Sequence, residues 1–184
     1  MSKIAVVYYS GYGHTKVIAE AFANEIQAQL VVVDQEGNIQ DQDWTVLDTA
    51  DGIVFGVPTY MGGVPWQFKK FADATSKRWY TGDWKDKTFG AFTNSASPNG
   101  DKQVTLIYLQ TLAAQHGGIW VSLGLAPSNT KAATRADINS LGGSVGLLAQ
   151  APADASADEI PSGDLDTAKA YAKRIQAITD KFVG

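Results

Sequence analysis

Cysteine is absent from this chain of 184 residues. That excludes disulfides, thiolate metal sites and cysteine nucleophiles. Histidine occurs only at His14 and His116. Neither has an acidic motif beside it, so no metal centre is expected. Charge is sparse as well: 18% of residues are charged and the net charge is −4. A nucleic acid or an anionic membrane surface is therefore not an expected partner. No apolar run approaches the ~18 residues of a membrane span. The chain enters a predicted strand almost at once, so no leader is expected and the expected location is cytoplasmic. Redox chemistry, if present, has to come from a cofactor.

What is present is a regular alternation. Ile4–Tyr9, Leu30–Val33, Gly52–Val57, Thr88–Thr93 and Ile119–Leu123 are short apolar runs that predict buried strands. Helical spacing predicts helices over His14–Gln27, Pro65–Ala74, Asp101–Gln115 and Asp164–Phe182, with a short one within Gln40–Asp51. Gly124–Gly163 has no sustained period, although Ser144–Leu148 is a candidate for the last strand. The length suits a single domain over residues 1–184. Such alternation predicts an α/β fold of three layers, a doubly wound five-stranded parallel sheet in the order 2-1-3-4-5.

The most informative stretch is Ser10-Gly11-Tyr12-Gly13-His14-Thr15, between the first strand and the first helix. A strand-to-helix turn aims free N–H groups and the positive dipole end at one spot. A nucleoside triphosphate loop would end in Gly-Lys-Ser/Thr, and His14-Thr15 stands there instead. The dinucleotide fingerprint requires a third glycine where Lys16 lies, although Asp34 sits at about the right distance for a ribose-binding acid. The loop suits one terminal phosphate held by N–H and O–H groups. It equally suits a plain helix cap with a tight turn. Two more loops leave strand ends: Pro58-Thr59-Tyr60-Met61-Gly62-Gly63 and Asn94-Ser95-Ala96-Ser97-Pro98-Asn99-Gly100. In the order 2-1-3-4-5, strands one, three and four are neighbours, so the three loops converge. Together they fit a ligand with a phosphate at one end and a flat polar ring at the other.

These stretches resemble the flavodoxin-like proteins, and in particular the WrbA-type NAD(P)H:quinone oxidoreductases. The likeness covers Tyr8–Thr15, Gly56–Gly62, Phe71–Thr75 with Trp79, and Leu112–Gly117. It implies non-covalent FMN, NADH or NADPH as electron donor, and two-electron ping-pong reduction of quinones. Carried over by position, it puts the FMN phosphate on Ser10, Gly11, Tyr12, Gly13, His14 and Thr15. It puts the ribityl chain and ring edge on Thr59–Met61 and Asn94–Asn99, with Pro58, Gly62 and His116 also among the cofactor-binding residues. Tyr12 and Trp79 match positions that meet nicotinamide or substrate, and His116 matches a ring-side histidine with a catalytic role. A homo-oligomer, dimer or tetramer, is implied, since sites in this family are usually completed by a neighbouring subunit. Three features depart from the WrbA pattern: a shorter link over Asp34–Asp51, Tyr60-Met61 in the second loop, and the sequence Ser-Ala-Ser-Pro-Asn-Gly in the third.

Apart from the resemblance, single residues have plainer readings. His116 at a helix end suits capping of carbonyls. Trp79 suits packing under a loop as well as a wall over a flat ring. The rival function is a flavodoxin-type electron carrier without quinone reductase activity.

Overall fold

The computed structural model describes residues 1–183. Strand β1 (Ile4–Tyr8) leads into helix α1 (His14–Ile26), and β2 (Gln29–Val32) into α2 (Asp41–Thr49). Strand β3 (Gly52–Pro58) is followed by α3 (Trp66–Ala74) and α4 (Ser76–Thr81). Strand β4 (Thr88–Ser95), α5 (Lys102–Gln115), β5 (Ile119–Trp120), β6 (Leu147–Gln150) and α6 (Ser162–Val183) complete the order. The sheet is parallel with the order β2-β1-β3-β4-β5, as the alternation predicts.

Successive strand residues face opposite sides of the sheet. On β1, Ala5 and Val7 join the layer built with Leu47 of α2, Phe68 and Phe71 of α3, and Leu106 and Leu109 of α5. Ile4, Val6 and Tyr8 face the other way, onto Ile18 and Phe22 of α1 and Tyr171 and Ile175 of α6. All five residues of β1 are buried. A strand covered on both faces must be apolar at every position, which is why β1 and β3 read as continuous runs and not as alternations.

The fifth position of the sheet departs from expectation. A single strand Ile119–Leu123 is expected, but β5 ends at Trp120. Its two residues pair with Thr88 and Phe89 at the start of β4. Strand β6 then returns beside the end of β4, pairing Leu147 with Phe92 and Gln150 with Ser95. One sheet position is therefore shared by two segments, and residues 121–146 loop out between them. A backbone bond from Leu123 N–H to the Ser144 carbonyl closes the base of this excursion at 3.0 Å. Helix α4 is a second departure. It follows α3 directly and ends at Gly82, which supplies the left-handed C-terminal turn.

This topology sorts the loops by edge. The exits of β1, β3, β4 and β6 share the carboxyl edge of the sheet. Helix α5 leaves that edge and runs back for 14 residues, roughly 21 Å at 1.5 Å per residue. Its end, His116, therefore lies at the amino edge, where Gly117 accepts from Asp86 N–H and Ile119 donates to Lys87.

Candidate functional site

A cleft of about 370 Å³ opens at the carboxyl edge of the sheet. That is within the usual range for small-molecule sites. The β1 exit contributes Ser10, Gly11, Tyr12, His14 and Thr15; the β3 exit, Pro58, Thr59 and Tyr60; the β4 exit, Asn94, Ser95 and Ala96. The three loops expected to converge do so. A fourth wall, Ala151-Pro152-Ala153 from the β6 exit, was not legible in the sequence. Its residues carry no functional group, so only the β6–β4 pairing reveals them.

The β1 exit is shaped as an oxygen cradle. The Ser10 hydroxyl accepts from Gly13 N–H at 3.1 Å and Lys16 N–H at 3.2 Å. Two amides at the helix entrance thus close onto the serine oxygen, which fixes the turn and leaves the start of α1 facing the cleft. Gly13 caps α1 with φ of 94°, a conformation that favours glycine. At Gly11 a Cβ would stand 2.5 Å from the Tyr60 hydroxyl, so the missing side chain lets Tyr60 close over the loop. His14 contributes differently. Its Nε2 donates to the Ala155 carbonyl at 3.0 Å, which ties the β1 loop to the β6 exit.

Tyr12 and Tyr60 meet edge to face, with ring centroids 6.2 Å apart. Tyr12 is largely exposed. Burial, followed by the neighbouring Tyr9 and Tyr12, pushes the Tyr60 phenol up to about 12. Tyr60 therefore remains a neutral O–H donor at any physiological pH. The Thr59 hydroxyl is engaged within the protein, bonded to Thr93 and Thr105 at 2.8 Å each. Asn94 lies 6% exposed, and its Oδ1 is buried without a hydrogen-bond partner. An acceptor left open in a cleft wall fits a ligand that brings a donor.

Other residues assigned by resemblance lie off the cleft wall. Met61 and Gly62 form the tip of a tight turn closed by reciprocal Tyr60–Gly63 backbone bonds. Both have positive φ, 48° and 78°, and the Met61 side chain is in solvent. Ser97, Pro98 and Asn99 turn their carbonyls to Lys102 Nζ.

Trp79 and His116 line a second cleft of about 410 Å³, together with Lys69, Asp73, Thr75 and Tyr108. It lies beside the ends of α3 and α5, toward the amino edge. One chain does not bring this pair to Tyr12. His116 is 5% exposed and packs its ring 4.7 Å from that of Trp84. The Thr75 hydroxyl donates to the Ala72 carbonyl at 2.7 Å. Its 2.9 Å contact with His116 Nε2 must then have the histidine as donor. Nδ1 is left as an acceptor, buried and without a partner. Burial lowers the pKa of His116 and so favours this neutral tautomer.

Gly142–Gly146 has the Gly-x-Ser-x-Gly spacing of a hydrolase elbow. That motif works on a strand-to-helix turn, whereas this one leads into β6. No cluster of three or more His, Cys, Asp or Glu suited to a metal occurs among the described residues. Nor is any described helix long and apolar enough to cross a membrane.

The family model of the flavodoxin domain matches residues 5–116. Flavodoxin FldP of Pseudomonas aeruginosa (strain UCBPP-PA14) is 66% identical over 178 residues, which is 97% of either chain. An NAD(P)H dehydrogenase (quinone) of Chromohalobacter salexigens is 32% identical over the full length of both. Among solved structures, a flavodoxin, WrbA-like protein from Agrobacterium tumefaciens superposes with a TM-score of 0.82 at 48% identity. That match covers 98% of this chain and 99% of the other.

Proposed function

The chain belongs to the flavodoxin family, and from that premise we propose that it holds FMN in the cleft at the carboxyl edge and serves as an electron carrier. FMN, when bound, supplies reversible uptake and release of electrons. The residues present fit that group. The Ser10–Thr15 turn sets the start of α1, with its positive dipole end, against the cleft as a place for a phosphate. Tyr12 and Tyr60 offer aromatic surface to a flat ring, and Asn94 Oδ1 offers an acceptor to a ring N–H. Thr59 shapes the wall but keeps its hydroxyl engaged inside.

One observation carries the carrier reading. A single chain supplies all four walls of the cleft, while Trp79 and His116 line a different one. A lone subunit therefore has a place for the flavin but no enclosure for a second substrate above it. The 66% identity to a protein named a flavodoxin supports the same reading.

The second reading is two-electron NAD(P)H:quinone oxidoreduction. The full-length likeness to a quinone dehydrogenase and the WrbA-like neighbour favour it. It requires another copy of the chain to bring its Trp79 cleft over the flavin. There, exposed Trp79 would supply aromatic surface, and His116, buried with Nε2 on Thr75, would support the wall behind it.

Reconstitution with FMN followed by steady-state assays separates the two. The carrier reading expects tight FMN binding, electron acceptance from a flavin reductase protein, and negligible oxidation of NADH or NADPH by quinones. Rapid ping-pong turnover with a nicotinamide and a quinone would establish the second reading in its place. Folded protein that takes up no FMN would end both.

A further inference from the structure

Lys102 opens α5 yet is only 1% exposed. Its Nζ donates to three consecutive carbonyls of the β4 exit loop: Ser97 at 2.6 Å, Pro98 at 3.0 Å and Asn99 at 3.3 Å. An ammonium has three donors, and all three go to one loop. The placement runs against two general trends. A cation in the first turn faces the positive end of the helix dipole, and a buried ammonium loses its hydration. Packing alone would be served by an apolar chain of the same length. The charge is matched instead to the three loop oxygens.

The preceding carbonyl is held separately. Gln150 Nε2 donates to the Ala96 oxygen at 2.7 Å. Gln150 N–H is fixed in turn by Asp164 Oδ2 at 2.9 Å, and Asp164 pairs with Arg135 at 2.6 Å. Carbonyls of residues 96–99 are thus tied to α5 and β6. The part of the loop that lines the cleft, Asn94–Ala96, is thereby anchored from both sides.

We propose that Lys102 is a positioning residue of the cleft, which gathers the Ser97, Pro98 and Asn99 carbonyls so that the β4 loop holds Asn94, Ser95 and Ala96 in the cleft wall against a bound flat heterocycle. This rests on the flavin reading above. The clamp is also sensitive to pH. Burial holds the Lys102 pKa down at about 8, opposed by Asp164 and assisted by Arg135. Those two, from α6 and from the 121–146 excursion, are the charged groups that face it. The loop itself, residues 94–100, carries no charge, and neighbouring Asp101 is exposed. Above about pH 8 the amine has two donors and no charge, so one carbonyl is released and the others are held less firmly.

The test compares the wild type with Lys102→Met. The readouts are FMN binding by fluorescence quenching at pH 7 and pH 9, and hydrogen exchange of the FMN-free proteins at one pH. At pH 7 the variant should bind FMN about tenfold more weakly. Exchange should quicken across 95–100 and nowhere else. Wild-type affinity should fall between pH 7 and pH 9, and that of the variant should not. A folded variant that binds like wild type with unchanged exchange would overturn the assignment. So would a pH dependence that survives the substitution. If Lys102→Met does not fold, Lys102→Gln, which keeps a donor for the loop, takes its place with the same readouts. Failure of the flavin reading looks different: neither protein binds FMN at pH 7, and the exchange difference alone then tells whether Lys102 orders the loop.

Discussion

At the scale of single residues, the cleft depends on small groups in restricted places. A Cβ at Gly11 meets the Tyr60 hydroxyl, so Gly11→Ala should push Tyr60 outward while the sheet stays intact. We expect FMN affinity to drop about tenfold, read by fluorescence titration, with an unchanged circular dichroism spectrum. His116 makes a different prediction, about acid. Its folded pKa is lowered from 6.5 by burial. Between that lowered value and 6.5 the unfolded chain binds more protons than the folded one. Stability from this group is therefore complete above 6.5 and declines as pH falls through the window. His116→Gln removes the titration. Urea midpoints at pH 7 and about pH 5 should fall less in the variant than in the wild type. An equal or larger fall would show that the buried imidazole does not titrate in this way.

At the scale of elements, the shared fifth sheet position is the feature with consequences. Strand β6 delivers Ala151–Ala153 to the cleft, and the base of α6 anchors that delivery. Asp164, in the first turn of α6, is 2% exposed. It joins α6 to β6 through Gln150 and to the 121–146 excursion through Arg135. The excursion has a second tie, from Asn139 N–H to the Thr167 hydroxyl at 2.8 Å. Asp164→Ala leaves Arg135 and the Gln150 amide without their partner. The carboxylate is buried but Arg135 is 36% exposed, so the loss should be about 2 kcal/mol, measured by chemical denaturation. A loss below about 1 kcal/mol would mean that water replaces the carboxylate.

At the scale of the whole molecule, the two clefts lie toward opposite edges of the sheet, and one chain cannot use them together. If copies associate so that one presents Trp79 and His116 to the flavin of another, quinone turnover should depend on protein concentration. Specific activity should fall on dilution through the dissociation range found by light scattering. Trp79→Ala should then reduce turnover while leaving the FMN affinity of a single subunit unchanged. Turnover independent of concentration in a protein shown to be monomeric would reject that arrangement. A net charge of −4 gives only moderate long-range attraction to a basic partner. The carrier reading therefore expects a shallow dependence of electron-transfer rate on ionic strength.

The sequence by itself determined the layered α/β fold and the convergence of the first three loops. Buried parallel strands must be apolar throughout, and glycines with hydroxyls before an amphipathic helix identify a turn that can grip an anion. Those signals are local and survive in a linear reading. Only the tertiary structure decided that Ala151–Ala153 wall the cleft, that Lys102 serves the β4 loop, and that Trp79 with His116 stand elsewhere. These outcomes depend on which segment pairs beside β4 and on how far α5 carries the chain back across the sheet. Neither is written in the chemistry of the residues concerned: alanines and prolines bear no signature, and a lysine in a polar stretch looks like a solvated charge until packing buries it.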